Sequence, residues 1–170
     1  MSYTLYTTAV IRWLADSCGI ELSVVVAEPI GDFMPRMPLP SWAERYLRQP
    51  HDAVLATVRR DGAPAAVPCW YGYSEGHLFL SMGGRAKRLE NIRRDPRVAL
   101  SVLANDPPRH LSLSGVAVAV RPDPGLEEID LLSQRYQGRE WDDRDSTDMT
   151  TVVVQVRTWI CFGFDEIGDH

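Results

Sequence analysis

Three short runs of strand-forming residues, separated by glycine turns between positions 52 and 82, limit what this chain can fold into. The first run, DAVLATVRR (52–60), is rich in small and β-branched residues. Asp61-Gly62 follows it, and Asp-Gly between two such runs is a strong hairpin signal. A second run, PAAVPCWYGY (64–73), ends at Glu75-Gly76, and a third, HLFLSM (77–82), completes a predicted three-stranded meander. Pro68 has no N–H to donate to a ladder, so the second strand is predicted to be irregular or at an edge. Such a strand leaves backbone groups for a ligand.

The remainder extends the pattern. Ser41 is placed as the N-cap of a helix over WAERYLRQ, with Glu44 at the capping-box position. A basic helix is predicted over 85–94, with Leu89 and Ile92 on its core side, stopping at Asp95-Pro96. RVALSVLA (97–104) and RHLSLSGVAVAVRP (109–122) read as strands around an Asn105–Pro108 turn. LEEIDLLSQRYQ (126–137) has apolar residues at helical spacing, and TVVVQVRTWICFGF (151–164) reads as one long or bent closing strand. The sum is about six strands with inserted helices, linked mostly by hairpins. That favours an antiparallel barrel over a parallel α/β sheet.

Residues 1–40 read differently from the rest. Positions 9–30 are fairly apolar, but Arg12, Asp16, Glu21 and Glu28 interrupt them. No apolar stretch of about 20 residues remains to span a membrane, and no signal-peptide pattern is present. The segment is read as an N-terminal extension, either an added helix and strand or residues upstream of a start at Met34 or Met37. Pro35, Pro38 and Pro40 mark a linker into the domain at 41–170. The three cysteines are scattered (Cys18, Cys69, Cys161) and form no CxxC, so a cytoplasmic protein without disulfides or zinc is expected. The four histidines have no metal-ligand spacing.

The chemistry concentrates in FLSMGGRAKRLENIRRDPRV (79–98). Arg85, Lys87, Arg88, Arg93, Arg94 and Arg97 are opposed only by Glu90 and Asp95, in a chain whose net charge is −5. The acidic whole argues against bulk nucleic-acid binding, which needs a broad basic face. The basic stretch is either a solvated helix face or a site for a small anionic ligand. Ser81, Gly83, Gly84, Arg85 and Lys87 together offer a hydroxyl, flexible backbone, cationic groups and helix-start N–H groups, the means by which proteins hold phosphate. Trp70 and Tyr71, on a strand expected beside the third, either flank a planar ring or fill the core. Cys69 reads as a buried structural thiol, since no histidine is paired with it in sequence. The chain offers a place for a cofactor rather than a set of catalytic side chains.

From about Trp42 to Phe164 these pieces resemble the split β-barrel flavin and deazaflavin oxidoreductases. That superfamily includes the pyridoxamine 5'-phosphate oxidase-like proteins and the coenzyme F-420-dependent reductases. ATVRRDGAPAAVPCWY, GHLFLSM and SLSGVAVAV match. The most specific piece is RAKRLENIRRDPRVALSV, with Lys87, Asn91, Asp95-Pro96 and Arg97-Val98 in the family order. The resemblance implies a mainly β fold, a six-stranded antiparallel split β-barrel of the FMN-binding type. It implies a homodimer with two cofactor sites at the interface and a small-molecule substrate. Lys87, with Ser81 and Arg85, would bind the cofactor phosphate, and residues 65–70 would run along the ring. The implied cofactor-binding set is Ala66, Val67, Pro68, Cys69, Trp70, Leu80, Ser81, Arg85, Lys87 and Asn91, with no catalytic side chain assigned. Asn91 would support the helix or the phosphate site. Arg88, Arg93 and Arg94 are expected to be solvated, or to meet a dimer partner or a cofactor tail.

Pyridoxamine phosphate oxidases place an Arg directly before the Lys and end in an Arg-x-His signature. Here the residues are Arg85-Ala86-Lys87, and the chain ends FDEIGDH. The spaced pair followed by Asn looks more like the deazaflavin branch. Coenzyme F-420 is therefore the expected cofactor, with FMN the alternative. The expected reaction is hydride transfer to a conjugated organic acceptor. Arg109, His110, Trp141 and the acidic loop 140–148 are candidates for the acceptor side. The alternative is a non-catalytic dimer that binds a flavin, a deazaflavin or haem.

Overall fold

The computed structural model describes residues 37–105 and 108–164. Most of the predicted N-terminal extension, Cys18, the tip of the Asn105–Pro108 turn and the ending after Phe164 lie outside the described residues. Seven strands form one antiparallel sheet: β1 Asp52–Val58, β2 Pro64–Cys69, β3 Gly72–Ser74, β4 His77–Gly83, β5 Arg97–Asn105, β6 Pro108–Pro122 and β7 Met149–Phe162. Their order is β2-β1-β5-β6-β7-β4-β3.

This corrects the predicted count of six and the predicted meander. The run 64–73 is two strands. Its first half pairs with β1, Ala53 opposite Cys69, and its second half pairs with β4, Tyr73 opposite Leu78. β2 and β4 are not hydrogen-bonded to each other. The proline at 68 and the turn at Trp70-Tyr71 end one ladder and start another at the far edge of the sheet. Cys69 and Gly72 are three Cα steps apart, so at most about 11 Å separates them. Seven strands laid flat at about 4.8 Å spacing would hold the two edges about 29 Å apart. The sheet must therefore roll until its edges meet at Trp70-Tyr71 without joining, which makes a barrel with a split. The expectation from Pro68 holds, since β2 is an edge strand.

Alternate residues fill the barrel, as the two-residue period of a strand demands. β1 contributes Ala53 and Leu55, β4 contributes Leu78, Leu80 and Met82, β5 contributes Val98, Leu100 and Val102, and β7 contributes Val152, Val154 and Val156. β6 and β7 are long and bent. Their register slips between Ser114 and Gly115 and between Ala117 and Ala119.

Helix α1, Ser41–Leu47, buries Ala43, Tyr46 and Leu47, and the Tyr46 hydroxyl donates to the carbonyl of Arg109 at 3.2 Å. Ser41 is its first residue rather than its cap. Pro40 holds the cap position in extended conformation with no side-chain cap bond, and Glu44 instead accepts from the Tyr73 hydroxyl at 3.1 Å. Helix α2, Lys87–Arg94, buries Leu89 and Ile92 as expected, but starts after Arg85. A turn closed by the Ala86 N–H to the Gly83 carbonyl, 2.9 Å, precedes it, so Arg85 stands outside the first helical turn. Helix α3, Glu127–Gln137, buries Ile129, Leu132 and Ser133. The buried Asp123 carboxylate accepts the N–H groups of Glu127, Glu128 and Ile129 at 2.9, 3.1 and 3.2 Å. That satisfies three donors that a helix start leaves without partners. Among the described residues no helix is long and apolar enough to cross a membrane.

Candidate functional site: a cavity in the split of the barrel

The unjoined edges leave a cavity of about 690 Å³. One wall is the end of β2, Pro68 to Trp70, with the start of β1. The facing wall is Ser81 to Gly83 of β4, and α3, Met149 and Trp141 close it. β2 pairs only with β1, so the other side of its backbone faces the split with hydrogen-bonding groups unspent. Trp70 stacks on Tyr136 of α3, with centroids 5.3 Å apart and planes at 8°, and meets Trp141 edge-on at 6.0 Å and 90°. The Tyr136 hydroxyl donates to the His51 carbonyl at 3.0 Å, and Arg135 donates to the carbonyls of Leu47 and Gln49 at 2.7 and 2.6 Å. Asp130 accepts from the Trp141 backbone N–H at 2.8 Å and from Arg144 at 2.6 Å, fixing the loop that carries Trp141. Three elements distant in sequence thus hold the aromatic wall.

The predicted site residues do not all converge. Pro68, Cys69, Trp70 and Ser81 line the cavity. Val67 packs against the core, Ala66 faces solvent, and the Leu80 side chain is buried inside the barrel, leaving its backbone for any ligand. Lys87, the only lysine in the chain, lies elsewhere. With Asn91 and Arg94 it lines a groove of about 820 Å³ against Arg59, Arg60 and Ala65 of the β1–β2 hairpin. The Lys87 ammonium pairs with Glu90 at 3.0 Å, and the Asn91 amide donates to the buried Thr57 hydroxyl at 3.1 Å. Arg85 is exposed and stands on neither wall.

Gly84 has a packing role within the chain. A Cβ on Gly84 would stand 2.8 Å from the Asp148 carbonyl, which already accepts the Gly84 N–H at 2.7 Å. The close approach is between two backbone segments. Of the other acceptor-side candidates only Trp141 lines the cavity. Arg109 donates to the Gly163 carbonyl at 3.1 Å, and His110 stacks on Phe162.

Of the placements expected for Arg88, solvated or against a dimer partner or a cofactor tail, the first does not hold. The residue is half-buried on the cavity wall rather than solvated. Successive helical residues are turned by about 100°, so Lys87 and Arg88 enter different depressions. Lys87, Asn91 and Arg94 form the i, i+4, i+7 stripe over the groove, a pattern legible in the sequence. Burial pushes the Cys69 thiol up to about 11, while the nearby Arg88 charge and a hydrogen bond to Leu55 pull it back. Cys69 is therefore a neutral thiol near pH 7, half-buried on the cavity wall rather than fully buried as expected. Among the described residues no cluster of His, Cys, Asp and Glu could hold a metal.

A ring-bearing cofactor fits this arrangement. The cavity offers a flat aromatic face, an open strand edge and the Ser81 hydroxyl, which is buried without a partner. The model of the pyridoxamine 5'-phosphate oxidase family matches residues 41–160. The chain belongs to that family. Within solved structures it is similar to an F420 reductase, with 30% identity and a TM-score of 0.67, over 72% of this chain and 98% of the other. It is also similar to a conserved hypothetical protein from Mycobacterium tuberculosis, with 23% identity and a TM-score of 0.64, over 79% and 91% of the two chains. A heme binding protein from Mycobacterium smegmatis shares 25% identity, with a TM-score of 0.51, over 73% of this chain and 55% of that one. No curated protein matches the sequence. The family's split barrel accounts for the open edge at β2 and for the cavity beside it.

Proposed function

We propose that this family member is an oxidoreductase that works with a bound deazaflavin, coenzyme F-420, or with FMN as the alternative. The observation that carries the reading is the cavity between the β2 edge and Ser81, beside a helix that opens on Lys87 and Arg88. The similarity to an F420 reductase at 30% identity supports the deazaflavin choice. Residues Ala66 to Trp70 would run along the ring, with the Leu80 backbone and Ser81 facing them. Arg85 and Lys87 would hold the phosphate, and Asn91, through Thr57, would keep α2 in place. The cofactor supplies hydride transfer to or from a conjugated acceptor. The chain supplies the rest. Trp70, Trp141 and α3 exclude water, the strand edge orients the ring, and Lys87 exchanges Glu90 for the incoming phosphate. The active unit is a homodimer with two cofactor sites at its interface.

The test is direct. Purified protein is titrated with F-420 and with FMN while ring fluorescence is followed, and Lys87 is probed with an amine-acylating reagent. We expect binding at micromolar concentration or tighter, and protection of Lys87 by the phosphate-bearing ligand. Binding of neither ligand sinks the reading. Lys87→Ala should weaken binding by about tenfold or more, the loss of one charge-assisted contact. A second reading, a binder without turnover, is supported by the similarity to a heme binding protein. It predicts a Soret band on adding hemin and no acceptor reduced by the F-420- or FMN-loaded protein.

A further inference from the structure

The polar atoms buried without partners on the cavity wall are one-sided. They are the Arg88 Nε–H, the Trp141 indole N–H and the Ser81 hydroxyl. Two can only donate, and the third can donate. Among the described residues Arg88 is the only half-buried arginine with neither an ion pair nor a hydrogen bond. Arg109 and Arg135 are spent on backbone carbonyls, and the other unpaired arginines are exposed. The one acidic side chain on this wall, Asp52, is exposed. A buried donor without an acceptor costs free energy that a ligand's acceptor can recover. A guanidinium placed so matches a planar oxyanion such as a carboxylate. The remaining wall is aromatic, with Trp70 and Trp141 at a right angle, which suits a flat ring.

We infer that the acceptor bound in this cavity is a planar conjugated carboxylate, its anionic end held by Arg88 and the Trp141 indole N–H and its ring against Trp70. The inference rests on the cavity being the reaction site and gives that site its substrate class. It also makes Arg88 a specificity residue separate from the Lys87 groove.

Calorimetric titration of the full-length protein, with and without F-420, uses two probes of equal ring size: 2-naphthoate and the neutral 2-naphthalenemethanol. The wild type should prefer the carboxylate by about tenfold or more. Arg88→Gln should erase that preference while leaving alcohol and F-420 binding unchanged. Arg88→Lys should restore part of it, and Trp141→Phe should reduce it. Thermal unfolding checks that each variant is folded, and the wild-type preference stands as a test that needs no variant. Equal binding of the two probes by the wild type overturns the inference. So does an Arg88→Gln protein that keeps the preference, or one that loses F-420 binding, which would assign Arg88 to the cofactor. A wild type that discriminates the probes but binds neither F-420 nor FMN overturns the proposed function while upholding the anion site.

Discussion

At Cys69 burial raises the thiol from its ordinary value of 9.0 to about 11. The thiolate is the nucleophile that attacks alkylating reagents. At pH 8 the folded protein should therefore hold about a hundredfold less thiolate at Cys69 than the unfolded chain, two units being a factor of about 100. Iodoacetamide labelling followed by peptide mapping should find Cys69 slow in buffer and fast in denaturant, and equal rates would mean that the thiol ionises freely in the fold. The sign for stability follows. A thiol held protonated contributes its stabilisation in full below about pH 9 and loses it as the pH rises through about 11. Asp95 shows the opposite case. Hydrogen bonds from Arg97 hold its carboxyl down to about 2, so its contribution is present at neutral pH and is lost only as the pH falls through about 2.

Among the elements, α3 forms the cavity roof and depends on a residue outside itself. Asp123, three positions before its N-cap, takes three backbone N–H groups while 3% exposed. Asp123→Ala should cost about 2–3 kcal/mol, since it strips three bonds from the helix start, one of them from the buried Ile129 N–H. Denaturant unfolding would read it, and an unchanged midpoint would show that the helix start is held by packing alone. The bend of β6 over β7 depends on Gly115 in a similar way. A Cβ there would lie 2.5 Å from the Gln155 carbonyl. Gly115→Ala should cost about 1–3 kcal/mol, the range for overpacking, with a matching fall in Tm. The strands other than the division of 64–73, α2's buried face and the edge character of β2 were legible from local periodicity and from Pro68. The start of α2 was not, because Gly84 and Asp148 meet through backbone groups 64 positions apart.

For the whole molecule, the long ends of β6 and β7 carry apolar residues that one chain leaves bare: Phe162 is 63% exposed, Val118 51% and Ile160 49%. Ile160 and Phe162 alternate on β7 and so share a face. The proposed homodimer would cover such residues. Sedimentation should give twice the mass of the chain, and the double variant Ile160→Glu, Phe162→Glu should give one chain with weakened F-420 binding. A wild-type monomer that binds the cofactor tightly would rule out a site at a dimer interface.

The sequence by itself determined the kinds of element, the barrel class and the family. Each of these rests on residues close together in the chain: the Asp61-Gly62 turn, the alternation in β1 and β4, and the order Lys87, Asn91, Asp95-Pro96. Only the tertiary structure decided what shares a cavity. The rolling of the sheet sends the two halves of 64–73 to opposite edges, and the packing of α2 gives the sides that carry Lys87 and Arg88 different depressions to face. The packing of α3 brings Tyr136 and Trp141 to Trp70. These placements come from chain closure and long-range packing, which no local spacing encodes.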